Sequence, residues 1–138
     1  MGQILIDTNV IVDLLKADPD WMRWSPEQLD LARTQQPLCI NIVVYADLCS
    51  HRQTQSQVDG FLQDMDIQIA AISTTAALAA AQAFLQYRQR GGSKTGVFPD
   101  FFIGAQAQAE GWTILTRDAA RYRTYFLDIK LVCPALVL

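Results

Sequence analysis

Five short apolar runs, separated by helix-like stretches, constrain this chain more than any other feature. They cover residues 3–6, 38–41, 67–72, 113–116 and 131–132. They lack the strict alternation of a half-exposed sheet, and strands buried on both faces read this way. Residues 9–16 carry apolar side chains at 10, 11, 14 and 15, a helical spacing. Asp18-Pro19-Asp20 breaks that pattern. Ser25 is placed to N-cap the next helix, with Pro26 at its first position and Gln28 closing a capping box. That helix runs to about Gln35 and stops before Pro37. Helices are also predicted over 43–53 and 57–65. Ser73 or Thr74 caps a longer one to about Arg90, its helicity raised by five alanines between 76 and 81. Residues 91–96 form a loop. Pro99-Asp100 opens a last long helix, which Gly111 ends. Strands alternating with helices imply an α/β sandwich with a mostly parallel sheet. No repeat, low-complexity tract or linker divides the chain, so residues 1–138 read as one domain.

Apolar residues make up 51% of the chain, enough for a hydrophobic core without disulfides or a structural metal. The formal net charge of -3 does not advertise a polyanion partner. Setting aside the four aspartates considered below leaves +1, so the charge does not exclude RNA or DNA. Cys39, Cys49 and Cys133 are odd in number and show no CxxC spacing, which suits a reducing, cytoplasmic setting. The opening Met-Gly-Gln-Ile-Leu-Ile-Asp lacks the basic-then-apolar order of a secretory signal. Ile6 stands where a myristoylation motif needs Ser or Thr. No apolar run reaches bilayer-spanning length, so no membrane role is expected.

The acids carry the chemistry. Asp7 follows the first predicted strand, and Asp118 lies just past the 113–116 strand. In open α/β sheets, ligands bind beyond the carboxyl ends of strands. Asp100 starts a helix after a basic loop, and Asp47 lies in the helix after the second strand. Four carboxylates gathered on one rim raise one another's pKa and need a counter-charge, either protons or a hard cation. Carboxylate oxygens suit Mg²⁺ or Mn²⁺. Asp7, Asp100 and Asp118, each taken singly, also suit helix N-caps.

Ile4-Leu5-Ile6-Asp7-Thr8-Asn9-Val10 resembles the opening of PIN domains. Pro99-Asp100-Phe101-Phe102-Ile103-Gly104-Ala105 and Leu115-Thr116-Arg117-Asp118 resemble their later acidic motifs. Tyr122-Arg123-Thr124-Tyr125-Phe126 is similar to the tail of one bacterial branch, the VapC toxins of toxin–antitoxin pairs. The resemblance runs from Ile4 to about Pro134. It implies a three-layer α/β/α sandwich around a parallel sheet, with acids that bind Mg²⁺ or Mn²⁺ and hydrolyse RNA by metal-activated water. Asp7, Asp100 and Asp118 match acidic positions, Thr116 a supporting hydroxyl, and Asn9 a polar residue that orients the first acid. VapC toxins are usually homodimers silenced by an antitoxin.

Two departures stand out. Asp47 aligns where the family usually has Glu, and the loss of one methylene draws the oxygens back. Metal sites respond to tenths of an ångström. Gln106 stands where this branch often has His. For substrate, Arg88, Arg90 and Lys94 precede Asp100, Arg117 adjoins Asp118, and Arg121 and Arg123 follow. They suit phosphate contacts that do not read sequence, or equally a solvated helix end whose cations complement the macrodipole. His51, the sole histidine, lies in a polar stretch and reads as a solvated surface residue. Trp21 and Trp24 read as packing residues, with a partner-binding groove as the alternative.

The resulting expectation is a Mg²⁺- or Mn²⁺-dependent endoribonuclease, the toxin of a toxin–antitoxin pair. The main rival is a non-catalytic PIN-like protein that binds RNA or antitoxin, its site weakened by Asp47. A haloacid-dehalogenase-type phosphatase needs a second Asp where Asn9 stands.

Overall fold

Ile4, Leu5 and Ile6 are all buried, as are Leu38, Cys39, Ile40 and Asn41. A strand with apolar side chains on both faces is stable only between two covering layers. The computed structural model, which describes residues 2–93 and 99–134, has that form. Its elements run β1 (Ile4–Ile6), α1 (Thr8–Leu15), α2 (Trp24–Gln35), β2 (Leu38–Asn41), α3 (Ile42–Ser50) and α4 (Gln55–Asp64). They continue with β3 (Ile67–Ala70), α5 (Thr74–Gln89), α6 (Pro99–Glu110), β4 (Thr113–Leu115), α7 (Ala120–Arg123) and β5 (Leu131–Val132). The sheet order is β3-β2-β1-β4-β5, every pairing is parallel, and helices cover both sides. This is the expected α/β/α sandwich. Among the described residues, no helix is long and apolar enough to cross a membrane.

The strand order decides where a site can form. The chain builds outward from β1 through β2 to β3, then returns to the other side of β1 for β4 and β5. Loops leaving β1 and β4 therefore diverge, opening a crevice at their carboxyl ends. Register fixes its floor: Ile6 pairs with Leu115, so Asp7 and Thr116 emerge side by side. The Asp7 backbone N–H donates to Leu115 O at 2.9 Å, holding the exit in line.

Most predicted elements are present, with shifted ends. The capping box at Ser25 is not. Helix α2 starts at Trp24, and its N-cap position, Arg23, makes no side-chain cap bond. The Ser25 hydroxyl instead donates to Asp13 Oδ2 at 2.7 Å, and both residues are buried. A buried carboxylate gains more from that donor than the helix end gains from a cap. A capping box does occur at α4, between Thr54 and Gln57, so that helix starts two residues before the predicted 57. Cys39 lies in the core, where burial pushes its thiol pKa up to about 12.

Helix α6 approaches its neighbours closely at Gly104. A Cβ there would overlap the ring of Phe126, which is itself buried. Gly111 ends the helix with φ 71°, a conformation that favours glycine. Gly104→Ala should destabilise the fold by about 1–3 kcal/mol through overpacking, despite alanine's better helix propensity. Chemical denaturation followed by circular dichroism measures it; an unchanged midpoint would show that the Phe126 ring yields freely.

Candidate metal centre

Asp7 is 1% exposed. It occupies the N-cap position of α1 yet makes no side-chain cap bond. Its Oδ2 instead accepts from Thr116 Oγ1 at 2.7 Å, from the Tyr122 hydroxyl at 2.7 Å and, more loosely, from Asn9 Nδ2 at 3.4 Å. Three elements contribute these donors: the start of α1, the end of β4, and α7. A buried carboxylate persists only with such compensation.

The Thr116 hydroxyl is a hub. It donates to Asp7 and accepts from the Asp118 backbone N–H at 3.0 Å and Asn9 Nδ2 at 3.5 Å, filling a hydroxyl's capacity. The Asn9 Oδ1 accepts from the Arg117 backbone N–H at 3.2 Å. Burial raises the Tyr122 hydroxyl pKa well above its ordinary value, and Asp7 and Asp100 raise it further. Tyr122 therefore stays protonated and remains a donor.

Above this floor lies an open cleft of about 480 Å³, lined by Asp7, Thr8, Asp47, His51, Asp100 and Arg121, with Asn9 and Arg117 also on its wall. Asp100 stands in the first turn of α6. Burial raises its carboxyl pKa, with Asp7 and Asp118 adding to the rise against its own backbone N–H and Arg121. The Thr8 hydroxyl oxygen is buried and has no hydrogen-bond partner among the described residues.

Two of the expected acids are turned to internal partners. Asp118, with a side chain 45% exposed, receives Arg121 Nε at 3.0 Å and lies in a neighbouring pocket of about 580 Å³. Asp47 Oδ1 accepts from Ser50 Oγ at 3.3 Å and lies 3.8 Å from His51 Nε2. Among the described residues, no three His, Cys, Asp or Glu side chains gather within reach of one ion. Arg121 is the counter-charge: burial opposes its charge, but Asp7, Asp118, Tyr122 and Asp100 together raise its pKa.

The cations named from the sequence separate. Arg117 reaches the cleft but is clamped, its Nε 2.9 Å from the buried Asp13 Oδ2 and its guanidinium 4.7 Å above the Trp21 ring. That contact with Asp13 is coulombic rather than a directed hydrogen bond, since Nε–H is not aimed at the oxygen. Burial raises the Asp13 carboxyl pKa against the Ser25 bond and the Arg117 charge, with Asp18 adding to the rise. Trp21 and Trp24 pack edge to face at 5.6 Å. Arg88 and Arg90 close the end of α5 and are not among the residues lining the cleft. Arg90 stacks over Tyr125 at 5.3 Å. Lys94 lies outside the described residues.

Gln106 has a structural part. Buried in α6, it accepts from Asn41 Nδ2 at 2.9 Å and donates to Ala71 O at 3.0 Å, while Asn41 Oδ1 caps α3 at Val44 N. The carboxyl ends of β2 and β3 are thereby fastened to α6. Arg121, expected from the sequence as a phosphate contact, does line the cleft, whereas Tyr122, Asp13 and His51 were not picked from the sequence as site residues. Only His51 had a readable local signal, its four-residue spacing from Asp47.

A family profile described as PIN domain matches residues 4–127. Comparison with curated proteins gives no match. Among solved structures, a chain of VapBC2 from Rickettsia felis, bound to a promoter DNA fragment, is similar at TM-score 0.73 and 19% identity. The match covers 96% of this chain and 99% of that one. A chain of DNA-bound VapBC from Salmonella typhimurium matches at 0.68 and 18%, over 96% and 98% of the two chains. A toxin–antitoxin complex from Klebsiella pneumoniae matches at 0.64 and 20%, over 97% and 99%. At such identities the likeness is one of fold.

Proposed function

From the premise that this chain belongs to the PIN-domain family, we propose that it is a Mg²⁺- or Mn²⁺-dependent endoribonuclease. In this reading it is the toxin of a toxin–antitoxin pair. The observation that carries the reading is the Asp7 carboxylate, fixed through one oxygen by Thr116, Tyr122 and Asn9 on the floor of the crevice between β1 and β4. A helix cap needs no such cradle. A ligand-holding acid does, because outer donors set its orientation.

The residues fit a hard cation in donor type. Asp7, Asp100 and Asp47 line the cleft and would hold it, Asp118 would join them by turning in from the adjoining pocket, and the orphaned Thr8 hydroxyl opens on the same cleft. Burial chiefly raises the Asp100 carboxyl, with Asp7 and Asp118 adding to the rise, and a bound cation would oppose both effects. A divalent ion bound there would supply Lewis-acid chemistry, lowering the pKa of water and neutralising charge at a phosphate. Thr116 and Tyr122 keep Asp7 from rotating, and Asn9 ties it to the loop that carries Arg117 and Asp118. Arg117 and Arg121 would hold backbone phosphates at the cleft. Arg88, Arg90 and Lys94 would serve RNA beyond it. That the structural matches come from toxin–antitoxin complexes supports a cognate antitoxin as partner. We include a homodimer and a cytoplasmic setting, the latter supported by the free thiols.

A second reading, a non-catalytic PIN-like protein that binds RNA or antitoxin, draws on Asp47. Its shorter side chain is engaged by Ser50 and His51. Asp47→Glu separates the two: activity within a few-fold of native supports the nuclease, whereas a large gain shows a weakened native site.

The test is cleavage of a pool of structured RNAs by the purified, antitoxin-free protein with Mg²⁺ or Mn²⁺. EDTA should abolish cleavage. Asp7→Asn should reduce it by more than about 100-fold, beyond the loss expected from an outer partner. No cleavage by a folded, metal-binding protein would overturn the catalytic reading. Tyr122→Phe keeps the buried ring but removes a donor from Asp7, so metal affinity should fall about 10–100-fold. Isothermal titration with Mn²⁺ reads that change, and unaltered affinity would make Tyr122 a packing residue alone.

A further inference from the structure

We infer that Asp47 and His51 form a helix-borne pair of metal donors that biases the cleft toward Mn²⁺ over Mg²⁺. The inference rests on the nuclease reading and deepens it. Residues four apart on a helix share one face. Asp47 lies within α3 and His51 is its C-cap, and both side chains line the cleft that also holds Asp7 and Asp100. His51 Nε2 stands 3.8 Å from Asp47 Oδ1. Two donors at roughly 2.0–2.2 Å from one ion can be at most about 4.4 Å apart. The observed 3.8 Å lies within that span, and closing to the roughly 3 Å between neighbouring donors of an octahedral ion takes a shift of less than about 1 Å. Two histidines at the same spacing grip zinc on one helix face.

The pairing also answers the shortened acid. Asp47 stands where the resemblance expects Glu, so its oxygens reach less far into the cleft. An imidazole one turn further along offers the missing donor with a longer reach. That donor changes the preference for metal. Mg²⁺ keeps to oxygen ligands, whereas an imidazole nitrogen adds affinity for first-row transition ions, with Mn²⁺ gaining the least among them. A plain ion pair at a helix end would place the same atoms close together without affecting metal choice, and the experiment separates these cases.

The chain holds a single histidine, so an imidazole nitrogen on a bound ion has one source. Tag-free protein loaded with Mn²⁺ is measured by electron spin echo envelope modulation. The expected spectrum shows imidazole nitrogen coupling, absent in His51→Gln. Titrations should show Mn²⁺ affinity falling about tenfold or more in His51→Gln, with Mg²⁺ affinity changed less than about twofold. Circular dichroism verifies that the variant is folded. Bound Mn²⁺ without nitrogen coupling overturns the pair and leaves the nuclease reading standing. A protein that binds neither ion overturns both.

Discussion

A carboxylate buried at the centre of a sheet is the constraint on which the rest of this architecture depends. Leaving water costs an ion several kcal/mol unless donors replace the lost solvation. Asp7 receives them from segments far apart in sequence: Thr116 is 109 residues away and Tyr122 115. They meet because β4 returns to the free edge of β1 in register, and α7 then folds its tyrosine inward. Sheet order, register and the final short helix are thus coupled to a single charged group. Replacing that group with an apolar one would suit the core better, so its presence argues for use rather than stability.

The cleft has two unlike walls. Asp7, Thr116 and Tyr122 form a fully packed side with every donor assigned. Asp47, His51 and Arg121 form a looser side, partly exposed, with Asp47 beside His51 and Arg121 paired with Asp118 of the adjoining pocket. The Asn41–Gln106–Ala71 tie fastens the start of α3, which carries Asp47 and His51, to α6. Arg117 separates this cleft from the next pocket, held there by Asp13 and Trp21. At position 106, where the resemblance to one branch leads one to expect His, Gln serves because one amide can both accept from Asn41 and donate to Ala71.

Much of this was legible in the sequence, for physical reasons. Strands buried on both faces leave uninterrupted apolar runs, so β1, β2 and β4 announced themselves, and their ends located Asp7 and Asp118. Pro99 and Gly111 bracketed α6 because each has a narrow backbone role. What stayed hidden depended on partners without local signature. The sequence could show Tyr122 as an aromatic but not its bond to Asp7. Ser25 carried a sound capping pattern that a buried acid 12 residues upstream overrode. The basic residues before Asp100 looked like one patch, yet Arg88 and Arg90 close a helix away from the cleft while Arg121 enters it. His51 sat in a polar stretch and is exposed as expected; what the stretch did not show is that the end of α3 sets it beside Asp47 at the cleft.

The unequal walls have an evolutionary consequence. Positions 7, 116 and 122 are joined by hydrogen bonds in the core, so changing one leaves a buried partner short of a bond. Positions 47, 51, 118 and 121 are half in water, where substitution costs little stability. On the proposed function, a lineage carrying this fold would drift in ion preference or substrate grip through single steps on the looser wall, while the packed wall holds Asp7 in place.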